Sequence, residues 1–363
     1  MEDLKYWLAL SQFYKFGPVK FKKIKKYFPN MEAAFKAPYE EYLRAGIDEK
    51  TAEEFTIFKH QVEPDRLLEN LNKEKIKVLT IDDPAYPKLL KQIYDAPLLI
   101  YYRGDLKAFS EFALAIVGTR KYTHYGQQVT EKITRDLVAN GLTIVSGLAL
   151  GVDAIAHSAA VEAGGKTIAV LGCGIDRQSI YPSQNRYLAD KIEAHGGIIL
   201  TEYPLGAMPL KQNFPQRNRL ISGLSLGTLV IEAGEKSGSI ITAMHALEQN
   251  RDVFAIPGSI YSAYSAGTNS LIKLGAKLVS GAGDILESLD LTQAVAYTEN
   301  KKIIPESNEE GLILSKLNYE PVHIDELVRL TKLDASIINS TLTMMEMKGM
   351  IKNLGGMQYV LAR

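Results

Sequence analysis

Between residues 111 and 290 short apolar runs alternate with stretches whose apolar residues recur at helical spacing. The runs at 113–117, 143–145, 167–171, 198–200, 228–231, 253–256 and 277–279 read as strands. They show little apolar–polar alternation, which is what a sheet covered on both faces demands. Strand and helix alternating in this way predict right-handed crossovers and a parallel sheet, an α/β fold of Rossmann-like type. In such a sheet ligands bind outside the carboxyl ends of the strands. Two more strands, 76–79 and 97–102, precede this segment, with a turn at Asp83-Pro84-Ala85-Tyr86-Pro87 between them.

The flanks have a different rhythm. Up to about residue 75, Leu4, Trp7, Leu8, Phe21, Ile24, Tyr27 and Phe28 fall at helical spacing. Gly17-Pro18 and Gly46-Ile47-Asp48 separate short helices, and Asp48 is suited to capping one of them. Paired short helices of this kind resemble helix-hairpin-helix or SAM-like modules. The lysines at 20, 22, 23, 25 and 26 read first as a solvated helix face. Residues 291–306 turn polar and predict a linker. Residues 307–363 predict helices at 312–317, 324–330 and 335–347, then a hairpin of 350–352 and 357–360 around Gly355-Gly356. This order is winged-helix-like. The would-be recognition helix, 334–347, contains no lysine or arginine, so protein contact or stability is a better expectation for it than strong DNA contact. The domains expected are therefore 1–75, 76–290 with its strand extension, and 307–363.

Charge narrows the function. Lysine plus arginine and aspartate plus glutamate both total 42, for no net charge, so any anion site must be a local patch. A single cysteine, Cys173, excludes an internal disulfide, and a reducing cytoplasmic setting is expected. No signal peptide is evident, and no apolar run is long enough to span a membrane.

The most informative short stretch is Arg217-Asn218-Arg219, two guanidiniums around an amide, placed by the pattern just before a helix start. Helix N-termini attract anions, and the arginine fork fits phosphate oxygens in pairs. The predicted strand ends share this character. They carry Gly118-Thr119-Arg120, Ser146-Gly147, Gly172-Cys173-Gly174, Glu202 and Glu232, while Ser237-Gly238-Ser239 opens a helix. Small residues let backbone amides approach a ligand closely. Lys166 is a secondary candidate. Glu202 and Glu232 could be catalytic carboxylates, but fixing arginines in place suits a site that holds an anion without reacting with it. Asp153 and His157 share a helix face, read as a helix-start acid and a packed histidine. No catalytic residue, metal or cofactor is expected. Gly223-Leu224-Ser225-Leu226-Gly227 matches a nucleophile elbow in sequence, but it follows a helix and precedes a strand, the reverse of what that motif needs. Gly165-Lys166-Thr167 likewise lacks a P-loop's first glycine and strand–helix context.

Taken in order, Ala115 through Arg120, Val145 through Ala149 with Gly151, Asp153 and His157, Ile168 through Gly172 with Tyr181-Pro182, Thr201-Glu202, Phe214 through Arg219, Ser237 through Ala243, and Val253 through Gly258 resemble the DprA/Smf family. The resemblance covers the whole Rossmann-like segment. It implies a DNA-processing protein of natural transformation, not an enzyme. Such a protein binds and protects incoming single-stranded DNA, helps load RecA, and acts as a homodimer through the Rossmann-like domain. It also implies that Gly118-Thr119-Arg120 and the Arg217/Arg219 pair line a phosphate pocket. Where many members carry a lysine after Tyr-Pro, this chain has Ser183, with Arg177 and Arg186 nearby as substitutes. Tyr181 or Phe214 could stack bases, although packing is the better expectation for Phe214. Two alternatives stand beside this: a nucleotide phosphoribohydrolase of the LOG type, faintly echoed in Gly227-Thr228 through Glu232, and a RecA-binding scaffold with incidental DNA contact.

Overall fold

The computed structural model describes residues 3–291, 307–317, 322–347, 350–353 and 355–361. Two compact units emerge, Met1–Ile285 and Leu286–Arg363.

The first unit is built on a nine-stranded sheet. Its strands are β1 (Lys77–Thr80), β2 (Leu99–Gly104), β3 (Ala113–Val117), β4 (Thr143–Ser146), β5 (Thr167–Val170), β6 (Ile198–Thr201), β7 (Gly227–Val230), β8 (Asp252–Ala255) and β9 (Lys277–Leu278). The spatial order is β1-β2-β6-β5-β4-β3-β7-β8-β9. From β6 to β9 all neighbours are parallel, and β2 joins β6 and β1 antiparallel. The chain therefore enters at β3, winds outward through β4, β5 and β6, then returns to β7 on the other side of β3. That reversal creates the crevice where α/β sheets bind ligands.

Each strand from β3 to β7 is buried along its whole length. Successive side chains point to opposite faces, so Ala169, Leu171 and Ile199 join one core while Ile168, Val170, Ile198 and Leu200 join the other. The unalternating apolar runs have this cause. Helices α8 (His124–Ala139), α9 (Val152–Glu162), α10 (Arg186–Ala194), α11 (Asn213–Gly223), α12 (Gly238–Glu248) and α13 (Ala266–Lys273) make the crossovers. They follow α1 (Leu4–Ser11), α2 (Pro18–Tyr27), α3 (Met31–Lys36), α4 (Tyr39–Arg44), α5 (Glu49–Phe58), α6 (Pro64–Lys73) and the single turn α7 (Lys88–Lys91).

The six amino-terminal helices enclose an aromatic cluster in which Phe55 meets Phe16 at 4.5 Å and Tyr42 at 5.2 Å between ring centroids. Their core is continuous with one face of the sheet, and the Ser11 hydroxyl lies 2.8 Å from that of Tyr101 on β2. As expected, Asp48 caps α5 by accepting from the Thr51 amide. Of the lysines of α2, Lys20 pairs with Asp48, Lys25 with Asp82, and Lys23 donates to the Gly46 carbonyl. These cations tie α2 to the turn before α5 and to the loop after β1, so the run is only in part the solvated face read from the sequence.

In the second unit, α14 (Ala282–Ser288) spans the boundary, and the expected linker lies outside the described residues apart from Leu291. Helices α15 (Asn308–Leu314), α16 (Ile324–Thr331) and α17 (Ala335–Met347) pack on a small sheet of β10 (Val322–His323), β12 (Gln358–Leu361) and β11 (Ile351–Asn353). Helix α15 starts earlier than its apolar pattern predicts. Ser307 caps it by accepting from the Glu310 amide, so Asn308, Glu309 and Glu310 form a polar first turn that carries no apolar signal. Strand β10 was not legible because it is only two residues long.

Candidate nucleic-acid interface

A cleft of about 620 Å³ opens at the carboxyl edge of the parallel strands. Its walls come from the end of β3 (Val117, Gly118, Arg120), the turn after β4 (Ala149), the first turn of α9 (Asp153), Tyr181 beyond β5, the approach to and body of α11 (Pro209 to Ile221), and the start of α12 (Ser237, Gly238, Ser239, Thr242). Lining charges are the three cations Arg120, Lys211 and Arg217 against one acid, Asp153. A neutral chain thus concentrates positive charge at one place.

Arg217 is built into the floor. Helix α11 begins at Asn213, four residues before it, not just after the arginines as the sequence pattern suggests. Pro215 stands in the first turn, where its missing N–H is no loss. Arg217 therefore projects from the helix body toward the strand ends and is almost wholly buried. Its Nη1 donates to the Gly147 carbonyl at 2.7 Å and to the carbonyl of Val170, and its Nε to Asn218 Oδ1 at 3.2 Å. Burial lowers the guanidinium pKa, and the nearby Asp153 carboxylate opposes that shift. Asp153 accepts from the amides of Gly147 and Ala149. Burial pushes its carboxyl up, while Arg217 and those amides pull it down. A Cβ at Gly147 would lie 2.6 Å from Arg217 Nη2 and 2.8 Å from the Asp153 carboxylate, so a larger residue there would push both groups out of place. Gly151, at φ +83°, closes the same turn with a would-be Cβ 2.4 Å from the Thr119 carbonyl.

The rim is more open. Arg120 is exposed, makes no ion pair among the described residues, and lies with its guanidinium carbon 6.0 Å from the centroid of the Phe214 ring. Tyr181 stands 5.7 Å from that ring and is half exposed. Lys211 is exposed, also with no ion pair among the described residues. Across the cleft Ser237 caps α12, and Gly238 is exposed with open space around it. Asn218 joins the two sides, accepting from Arg217 and donating to the Gly238 carbonyl at 3.2 Å. The arrangement presents cations, a helix N-terminus and aromatic rings to one space, as a polyanion with planar groups would require.

The sequence candidates thus divide. Gly118, Arg120, Arg217, Asn218, Ser237 and Gly238 line the main cleft, and Gly147 a small recess beside it. Ser146 is buried, with its hydroxyl donating to the Ile116 carbonyl at 2.7 Å. Thr119 uses its amide on the Glu232 carbonyl and its hydroxyl on Lys121. Arg219, two residues from Arg217 on the same helix, leaves on another face. Its Nε pairs with Asp95 at 3.0 Å and its Nη2 with the largely covered Glu202. Burial pushes the Glu202 carboxyl up, against the pull of Arg219. Glu232 fixes no arginine among the described residues. It accepts from the amide and hydroxyl of Thr123 at the start of α8. Lys166 immediately precedes β5, so it sits at the amino edge of the sheet, where it donates to the Lys107 carbonyl. Near Ser183, Arg177 is paired with Asp190 and Arg186 donates to the carbonyls of Ile180 and Gln178. Neither lines the cleft, whereas Lys211 does. Lys211 carries no sequence signal of its own, since it is one lysine in an irregular loop.

His157 confirms the packed-histidine reading. The Thr167 hydroxyl donates to the Ile144 carbonyl, so it accepts from Nδ1–H of His157 at 2.7 Å. Burial, aided by the Arg217 charge, lowers its pKa to about 3. The unfolded chain takes up this proton near pH 6.5 and the folded chain does not, so stability is full above pH 6.5 and falls as pH drops toward about 3. In urea titrations between pH 7 and 4, His157→Gln is expected to reduce the acid slope by up to about 1.4 kcal/mol per pH unit relative to the parent. Parallel slopes would show that this histidine is not buried neutral.

Comparison with known proteins fits this geometry. Residues 77–290 match the family of DNA recombination-mediator protein A, and residues 299–357 the DprA winged helix domain. Protein Smf of Synechocystis is 37% identical over 98% of this chain and 98% of its own. The chain belongs to the DprA/Smf family. Among DprA proteins, that of Bacillus subtilis is 45% identical over 64% of this chain and 78% of its own. DNA processing protein A from Streptococcus pneumoniae, solved by X-ray analysis, covers 78% of this chain and 97% of its own, with a TM-score of 0.67 at 38% identity. A DprA structure from Helicobacter pylori, described for its single-stranded DNA binding mode, covers 59% of this chain and 95% of its own, with a TM-score of 0.53 at 35% identity. The α/β fold with a carboxyl-terminal winged helix is accordingly that of DprA proteins. No described helix is long and apolar enough to cross a membrane.

Proposed function

We propose that this protein binds single-stranded DNA in the cleft, holding backbone phosphates without reading base edges, and protects that strand during recombination. The observation carrying this is that Arg120, Lys211 and Arg217 face one space with the α12 N-terminus, while almost every acid nearby is already engaged. Arg120, Lys211, Arg217 and the amides from Gly238 onward are the phosphate contacts in this reading. Arg219, Ser146 and Lys166 act through the fold. Tyr181, beside Phe214, supplies a ring for a base. Family membership supports the further steps, hand-off of the strand to RecA and action as a homodimer. Leu274 and Leu278, exposed near the β9 end of the sheet, are a suitable surface for a second copy. The winged helix, whose α17 carries no cation, suits protein contact. The expected role is non-catalytic, since Glu202 and Glu232, the carboxylates a phosphoribohydrolase would call on, are bonded to Arg219 and Thr123.

Binding of a fluorescent oligothymidine 20-mer at rising salt tests the reading. Three neutralised phosphates give a log–log slope of about −2, at about 0.7 each for single strands. Affinity indifferent to salt, or free base released from nucleoside monophosphates, would count against it.

A further inference from the structure

The carboxyl edge of the sheet continues past the cleft over the ends of β7 and β8. Three loops meet there. The Thr119 amide donates to the Glu232 carbonyl at 2.8 Å, the Ala233 amide to the Tyr264 carbonyl at 2.7 Å, and the Tyr125 hydroxyl to the Pro257 carbonyl at 3.0 Å. On this ledge Tyr122, Tyr125, Tyr261 and Tyr264 are exposed by 45, 47, 93 and 37%. One exposed aromatic needs no explanation. Four on one ledge, brought together from two remote stretches of chain, do.

The ledge is also a built structure. After β8 the Tyr261 amide donates to the Ser259 hydroxyl and the Tyr264 amide to that of Ser262. The amides of Ser262 and Ser265 close successive turns on the carbonyls of Ser259 and Ser262. This holds the Tyr261 ring out in solvent on an ordered turn. Lys121 and Lys236 flank the ledge in sequence, with no ion pair among the described residues. Glu232 is buried and bonded, which leaves Glu235 as the exposed acid of these loops.

We infer that this ledge is a base-stacking platform for the single strand as it leaves the cleft, an inference that rests on reading the cleft as the phosphate site. Phosphate contacts alone distinguish a single strand from a duplex poorly. Rings that accept unstacked bases supply that preference, and they do so for any sequence because every base has a π face. The distance suits one strand touching both places. From β3 to β8 is two strand spacings, about 10 Å.

The test compares an oligothymidine 20-mer with an abasic 20-mer of the same backbone, at one salt concentration. Oligomeric state is measured by sedimentation on the same samples. The variants are Tyr122→Ala/Tyr261→Ala and Tyr122→Phe/Tyr261→Phe, at positions whose hydroxyls make no described hydrogen bond. The alanine pair is expected to lose about fivefold or more per ring on oligothymidine and less than about twofold on the abasic strand. The phenylalanine pair should bind like the parent. Undiminished oligothymidine binding by the alanine pair, while Arg120→Ala weakens both ligands, removes the ledge and leaves the cleft standing. Equal losses on both ligands with a change in oligomeric state reassign the surface to contact between copies. Unchanged binding of both ligands by Arg120→Ala removes the cleft, and the ledge with it.

Discussion

Arg219→Ala is expected to lower the unfolding free energy by about 3–5 kcal/mol, the cost of stripping a partner from a buried ion pair, and to leave the affinity of the folded fraction for single-stranded DNA within about twofold. Its guanidinium lies between Asp95 and Glu202, and the Glu202 side chain is only 13% exposed. Without the arginine, Glu202 keeps its burial and loses the charge that opposes the rise in its pKa, so this variant should recover part of its stability on acidification. Arg217→Ala makes the informative contrast. It too removes a buried cation, one that bonds the carbonyls of Gly147 and Val170 beside Asp153, so a loss of similar size is expected. It also removes the cleft floor, so binding by whatever remains folded should fall as well. Denaturant melts, with binding measured well below the transition, separate the two. Equal affinity in both variants would show that the floor does not touch DNA.

That contrast was hidden in the sequence. Arg217 and Arg219 look equivalent in a triplet, and nothing local says which faces the ligand. The answer depends on helix phase. With α11 starting at Asn213, residues two apart diverge by about 200° around the axis, so one arginine meets the strand ends and the other meets Asp95. The sheet was far more legible. Strands from β3 to β8 fall within about a residue of their apolar runs because burial on both faces leaves no alternation to misread. Glycine spacing at the strand ends marked the edge where the cleft lies, since Gly118 and Gly147 are required by what packs against them. Donor capacity misled at Ser146 and Thr119. Those residues have the right chemistry, but the fold uses it on Ile116, Lys121 and Glu232. A linear pattern also cannot say which edge of a sheet a residue meets. Lys166 stands one residue before β5, and Lys211 lies in an irregular loop that carries no motif.

Arg120→Ala/Lys211→Ala should separate binding from stability. Both side chains are exposed and neither makes an ion pair among the described residues, so the fold loses at most the contact of Arg120 with Phe214, about 0.5–1 kcal/mol. Binding loses two of three cations. A hydrogen bond to a charged group is worth about 1.5–3 kcal/mol, so each single change should weaken oligothymidine binding by about tenfold at moderate salt, and the pair by about a hundredfold if they act independently. The salt dependence is the sharper measure, because it counts phosphates. The slope should fall from about −2 to about −0.7 as one neutralised phosphate remains. A loss of affinity with the slope unchanged would mean that the two cations shape the cleft without meeting the backbone. An unchanged affinity would mean that the strand lies elsewhere on the molecule. The Lys211 arm carries most information, because Arg177 and Arg186 are already engaged near Ser183. If Lys211→Ala alone has no effect, the charge expected after Tyr181-Pro182 has no substitute in this chain, and Arg120 and Arg217 must hold the strand between them.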